Sequence, residues 1–202
     1  MTKPRQRVYA NITAEPAYSA GPQSRRLKSF AVSNGGPNAS LRGSLDALRR
    51  HSRQAHRNSP LVRKAVRAAV TNEIGTGIVP RFDSENTDAN KALRLLFDQF
   101  SGECDAERQL DIYGLQAAWA AARKVSGEVF IRRRPRALSE GLAVPFQLQT
   151  LEADYVPIEL NETRKNGNRI VQGVEFNKRG KRVAYWMYLS HPGEHEGFDS
   201  SK

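Results

Sequence analysis

Apolar side chains recur at helical spacing in the first half of the chain and alternate in the second. Leu41, Leu45, Leu48 and Ala55 fall near one face of a segment from Ser40 to His56, with Arg49, Arg50, Arg53 and Arg57 on the other side. Asn58-Ser59-Pro60 reads as a stop and restart, with Ser59 as N-cap and Pro60 at the first helical position. The second helix runs to about Ile74. Val62, Ala65, Val66, Ala69 and Val70 form its stripe, Arg63, Lys64 and Arg67 stand opposite, and Gly75 and Gly77 end it. A third helix is predicted over residues 86–100 from Leu93, Leu96, Phe97 and Phe100. A fourth spans residues 110–126 with Ile112, Leu115, Trp119 and Ala122 along one face. An acidic, polar connection, residues 101–108, joins these two.

From Gly127, a residue suited to a left-handed helix end, the period changes to two. Glu128 to Arg134 places Val129 and Ile131 on one face and Phe130, Arg132 and Arg134 on the other. Pro135 ends the pairing, residues 137–143 turn the chain, and residues 144–151 return with Phe146 and Leu148 on the buried face. An acidic corner, Glu152 and Asp154, follows. After a polar connection over residues 159–168, Ile170 to Phe176 is predicted as one strand. Asn177 to Gly180 is predicted as a turn and Arg182 to Leu189 as the partner strand. The fold class is therefore α+β, with N-terminal helices followed by antiparallel β-hairpins. Residues 1–38 contain four prolines and little apolar periodicity, so they read as an extended, flexible basic arm. Residues 39–196 form the folded region and residues 197–202 an untethered tail.

Charge sharpens this division. Residues 1–82 carry 15 Lys and Arg against 3 Asp and Glu, whereas residues 83–202 carry 17 against 18. A basic first segment fits nucleic acid, an acidic partner surface, or a merely solvated face, and the residues leave these open. No apolar run approaches the ~20 residues of a membrane span, and no apolar signal core follows the basic N-terminus, so cytoplasmic synthesis and no membrane partner are expected. The single cysteine, Cys104, excludes an internal disulfide.

Candidate chemistry is sparse. Residues 75–80 are glycine-rich but lack the Lys-Ser/Thr of a phosphate-binding loop, and they read as a turn. The two basic helices have a connection of helix-turn-helix length, without a cluster of base-reading side chains at a helix start. Cys104 has no histidine close in sequence. His191 and His195 are four apart, but Pro192 and Gly193 break a helix between them, so no metal site is expected there. Glu152 and Asp154 lack a third acidic residue at motif spacing. No catalytic set and no cofactor are expected. The sharpest feature is the run Arg132, Arg133, Arg134 and Arg136, whose guanidinium groups suit phosphate or carboxylate alike. Together with Arg49, Arg50, Arg53, Arg57, Arg63, Lys64 and Arg67, these are the candidate nucleic-acid or subunit contacts.

The same run carries a resemblance. "GEVFIRRRPR…VPFQLQTLEADYV" resembles a segment of the portal proteins of lambda-like tailed phages, as do "RNSPLVRKAVRAAVTNEIGTGIVPR" upstream and "VQGVEFNKRGKRVAYWMYLSHPGE" downstream. These blocks cover roughly residues 41–194 in the family's order. The resemblance implies a structural, non-enzymatic subunit of a phage or prophage portal, with the described order of elements as its wing-like part. It implies a dodecameric ring when full length, with capsid protein, terminase and double-stranded DNA as partners. The implied location is the virion, reached through the host cytoplasm during assembly. It also implies that this chain corresponds to the N-terminal part of a subunit, without the long helices that line the tunnel, and that alone it closes no ring. The residues by themselves also admit a metal-dependent nuclease or a basic nucleic-acid-binding module.

Overall fold

A computed structural model describes residues 43–193, together with Gly36 and Leu41. The rest of the predicted arm, Ser40 and Arg42 at the predicted start of the first helix, His195 and the C-terminal tail lie outside the described residues. Four helices come first: α1 (Leu45–Asn58), α2 (Pro60–Ile74), α3 (Thr87–Glu103) and α4 (Ile112–Ser126). Six strands follow: β1 (Phe130–Pro135), β2 (Phe146–Leu151), β3 (Glu162–Thr163), β4 (Arg169–Val171), β5 (Val174–Phe176) and β6 (Arg182–Tyr185). The α+β reading holds, with helices preceding antiparallel hairpins.

Local chemistry sets the helix ends. The Ser59 hydroxyl accepts from the Val62 N–H while Pro60 opens α2. Asn86 caps α3 by accepting from Asp88 and Ala89, and Asp111 caps α4 by accepting from Gly114 at 2.7 Å. Gly127 closes α4 at φ 86°, where a side chain would be strained. Beyond α2, the Gln116 side chain of α4 holds both backbone groups of Ile78, at 2.6 and 3.0 Å, so the extended stretch after Gly77 is tied to the helix.

The core lies where α3 and α4 meet the first hairpin. Cys104, Ile112 and Leu115 are buried, and Phe97, Phe100, Tyr113, Trp119 and Leu148 pack on them. The Trp119 indole N–H donates to Thr150 Oγ1 at 2.8 Å, and the Phe100 and Phe146 rings lie 5.0 Å apart. The acidic connection has an internal task. The Asp105 carboxylate accepts from the backbone N–H groups of Glu107, Gln109 and Leu110, and its backbone runs parallel beside Leu148. Buried thiol and neighbouring carboxylate together push the Cys104 pKa up to about 11, leaving it protonated and unreactive at neutral pH.

β1 and β2 pair antiparallel, Phe130 opposite Leu151 and Pro135 opposite Phe146, so Pro135 belongs to the strand. The second sheet has the order β3-β4-β5-β6. Here the expected single strand from Ile170 to Phe176 folds into two. Gln172 at φ 49° and Gly173 at φ 77° make a tight turn between β4 and β5. Gly173 is required there twice over, because a Cβ would also lie 2.6 Å from Val156 Cγ1. The polar connection contributes β3, which the sequence pattern does not announce. The predicted turn at Asn177–Gly180 is present, with Gly180 at φ 77°.

Candidate nucleic-acid or subunit interface

The basic side chains fall into three groups by what surrounds them. In α1 the expected faces are partly reversed. Leu48 is 54% exposed, whereas Arg49 is 5% exposed. Residues 49 and 53 lie one turn apart on the face turned toward the end of α4 and the base of the hairpin. Arg49 pairs with Glu128. Arg53 pairs with Asp154, donates through Nε to Ser126 Oγ at 3.0 Å, and lies 3.4 Å from Glu152. Burial alone would raise the Asp154 pKa. The Arg53 hydrogen bond and charge, with Arg49 beyond, override it and hold the carboxyl below its usual range. The Asp154 hydrogen bond correspondingly raises the Arg53 pKa, against its own burial. Apolar residues do not hold α1 here because the surface it meets is acidic.

The second group stays outside. Arg50 forms only an exposed pair with Asp46, one turn away. Arg57, Arg63, Lys64 and Arg67 are exposed and make no ion pair among the described residues. Arg57 and Arg63 line one wall of an open cleft of about 730 Å³, with Ala118, Ala122 and Val125 of α4 on the other wall. The alanine run that favours helix thus also leaves room beside it.

The third group is the row on β1. Arg132 donates to the Gln149 side-chain oxygen through Nε (3.0 Å) and Nη2 (2.5 Å), and Arg134 donates to the same oxygen through Nη1 at 3.0 Å. Arg136 donates through Nε to Gln147 Oε1 at 2.8 Å, with Glu140 3.9 Å away. Arg133 points to the opposite face, its guanidinium 6.0 Å from the Phe146 ring centre. Strand alternation puts Arg132 and Arg134 directly across from Gln149 and Gln147. The two glutamines are not among the predicted site residues, although the facing R-x-R and Q-x-Q patterns of a hairpin were there to be read.

The acidic corner also gains a member. His191 brings Nε2 to 3.9 Å from Glu152, and Glu152, Asp154 and His191 each offer a ligand atom within 4.8 Å of the others. The Arg53 guanidinium already bonds Asp154 and faces Glu152, so a metal ion there would compete with a fixed cation. On the second sheet Trp186 is half-buried. Its indole N–H donates to Glu175 at 3.1 Å and the Arg164 guanidinium lies over its ring at 4.7 Å. Tyr188 remains 41% exposed.

Two comparisons bear on what this surface serves. Residues 23–201 match the model of a family described as phage portal protein, lambda family. The chain is also similar to the probable portal protein of Halomonas phage phiHAP-1, at 29% identity over 161 residues, which is 74% of this chain and 30% of the relative. The chain therefore spans about 30% of the length of the curated relative it matches.

Proposed function

The chain belongs to the lambda family of phage portal proteins, and from that premise we propose that it acts as a structural part of a portal ring at one capsid vertex, through which DNA is packaged and ejected. The match over residues 23–201 is the observation that carries this reading. The family is structural, and the described residues serve it by packing and charge. In this reading residues 39–196 form the wing-like region, residues 1–38 its basic arm and residues 197–202 a tail. The ring, dodecameric when subunits are full length, contacts capsid protein, terminase and double-stranded DNA. The protein is assembled in the host cytoplasm and ends in the virion. No helix among the described residues is long and apolar enough to cross a membrane.

Exposed apolar side chains on separate elements, Leu61 of α2 and Leu95 of α3 among them, fit a surface made to be covered by neighbouring subunits or capsid. Gold-labelled antibody against residues 43–193, applied to opened phage particles, tests the assignment. One label per particle at the head–tail junction is expected. Label scattered over the capsid, or none on the virion, overturns it.

A further inference from the structure

Two arginines of β1 differ from the ion-paired arginines of the fold in what holds them. Arg49, Arg50, Arg53, Arg81, Arg123 and Arg164 each face a carboxylate. Arg132 and Arg134 face only the neutral amide oxygen of Gln149, whereas Arg136 faces that of Gln147 and also has the Glu140 carboxylate 3.9 Å from its Nε. A carboxylate orients a guanidinium and cancels its charge. An amide oxygen orients it and leaves the charge in place.

Gln147 is arranged for this task. It is 2% exposed, and its Nε2 donates to the backbone carbonyls of Glu103 (2.7 Å) and Asp105 (3.0 Å). The donor end is thereby fixed, so Oε1 can only face Arg136. A buried amide with every group satisfied positions a side chain nearer the surface. The terminal nitrogens of Arg136, Nε and Nη2 of Arg134, and Nη1 of Arg132 have no partner among the described residues. Alternate residues of an extended chain repeat every ~6.8 Å, so the three backbone positions span about 14 Å, while the Arg132 and Arg134 guanidiniums converge on the one Gln149 oxygen. The second sheet extends it. Tyr185 stacks edge-on to Phe130 at 5.4 Å, and Arg182 Nη1 donates to the Tyr185 hydroxyl at 3.4 Å.

We propose that Arg132 and Arg134, held by Gln149 and continued at one end by the partly paired Arg136, bind the phosphate backbone of double-stranded DNA without reading its sequence. Spaced cations are sufficient for such contact, which positions a protein on the duplex and carries no base information. The face offers no apolar side chain between Arg132 and Arg136, whereas a protein partner would need a buried apolar or aromatic anchor. Both glutamines are engaged with arginines, so neither is free for a base edge. The choice of double-stranded DNA among polyanions rests on the portal reading.

The test is fluorescence anisotropy of residues 1–202 with a labelled 20-base-pair duplex of arbitrary sequence, repeated across salt concentrations. Each lost phosphate contact lowers the slope of log affinity against log salt by about 0.9, so Arg132→Gln/Arg134→Gln/Arg136→Gln should lower it by about 2–3. Arg81→Gln/Lys91→Gln/Arg94→Gln removes the same charge elsewhere and should lower it by less than about 1. Gln149→Glu keeps the bonds but neutralises charge, and should lower the slope by about 1–2 with an unchanged melting temperature. An unchanged slope in the first variant, an equal loss in the control, or competition by polyglutamate as effective as by unlabelled duplex would overturn the proposal. The assay needs no ring, so such a result leaves the portal assignment standing. Misplaced gold label would remove that assignment without touching the DNA contact.

Discussion

Arg49 and Arg53 of α1 and Arg132 and Arg134 of β1 are the same residue type, each pair spaced to share one face of its element, yet they do opposite things. The α1 pair turns inward and meets Glu128 and Asp154 from elements far along the chain. In the β1 pair Arg132 is exposed and Arg134 half-buried, and both meet an amide across one hairpin. The first arrangement joins helix to hairpin and cancels charge. The second fixes direction and keeps charge. An arginine-rich sequence therefore contains both fasteners and contacts, and the partner's charge separates them.

The difference should show first in stability. Asp154→Asn leaves the Arg53 charge, 24% exposed, with only the more exposed Glu152 3.4 Å away, and should cost about 1–2 kcal/mol in urea denaturation at neutral pH. A cost below about 0.5 kcal/mol would place the α1 pairs with ordinary surface ion pairs and break the comparison.

Acid should then erase that cost. The folded Asp154 carboxyl is held below its usual range, so the unfolded chain takes up the proton first as pH falls. The stabilisation is complete above the ordinary carboxylate range and is lost as pH drops through the depressed folded value. The stability gap between parent and Asp154→Asn should therefore narrow as pH falls below the ordinary carboxylate range and close below the depressed folded value. A gap that stays constant would mean the aspartate acts through its shape and hydrogen bond, not its charge.

The smallest effect is expected on β1. Arg132 is exposed and held by an amide, not a titrating carboxylate, so Arg132→Gln should change stability by no more than about 0.5 kcal/mol at neutral pH or over the same fall in pH. A loss as large as that of Asp154→Asn would show that the row also fastens the fold.

Much of this molecule was legible before its structure. Ser59-Pro60 marks a helix start because a short polar side chain can reach an unpaired N–H within its own turn. Alternation put Phe146 and Leu148 on the buried face of β2, but Gln147 and Leu151 on the other face are the more buried, because the strand is packed on both sides; Gly127 and Gly180 mark positive backbone angles. These signals are local, and local sterics and hydrogen bonding suffice to fix them. The resemblance of three separated blocks, in order, likewise pointed to the portal family, which the match over residues 23–201 shows. The turn at Gln172–Gly173 was local too, but it was hidden inside an apolar alternation that reads equally well as one strand.

Tertiary structure decided what depends on residues distant in sequence. Helical periodicity assigned Leu48 inward and Arg49 outward, because it assumes an apolar partner. The surface that α1 meets carries Glu128 and Asp154, separated from Arg49 and Arg53 by 79 and 101 residues, and it reverses that preference. Gln147 became a positioning group only when the turn after α3 presented two carbonyls to its amide. His191 reached the acidic corner only because the second sheet returned the chain there. Charge type is written in the chain, but whether a charge is cancelled, buried or left available depends on which groups the fold brings within about 4 Å of it.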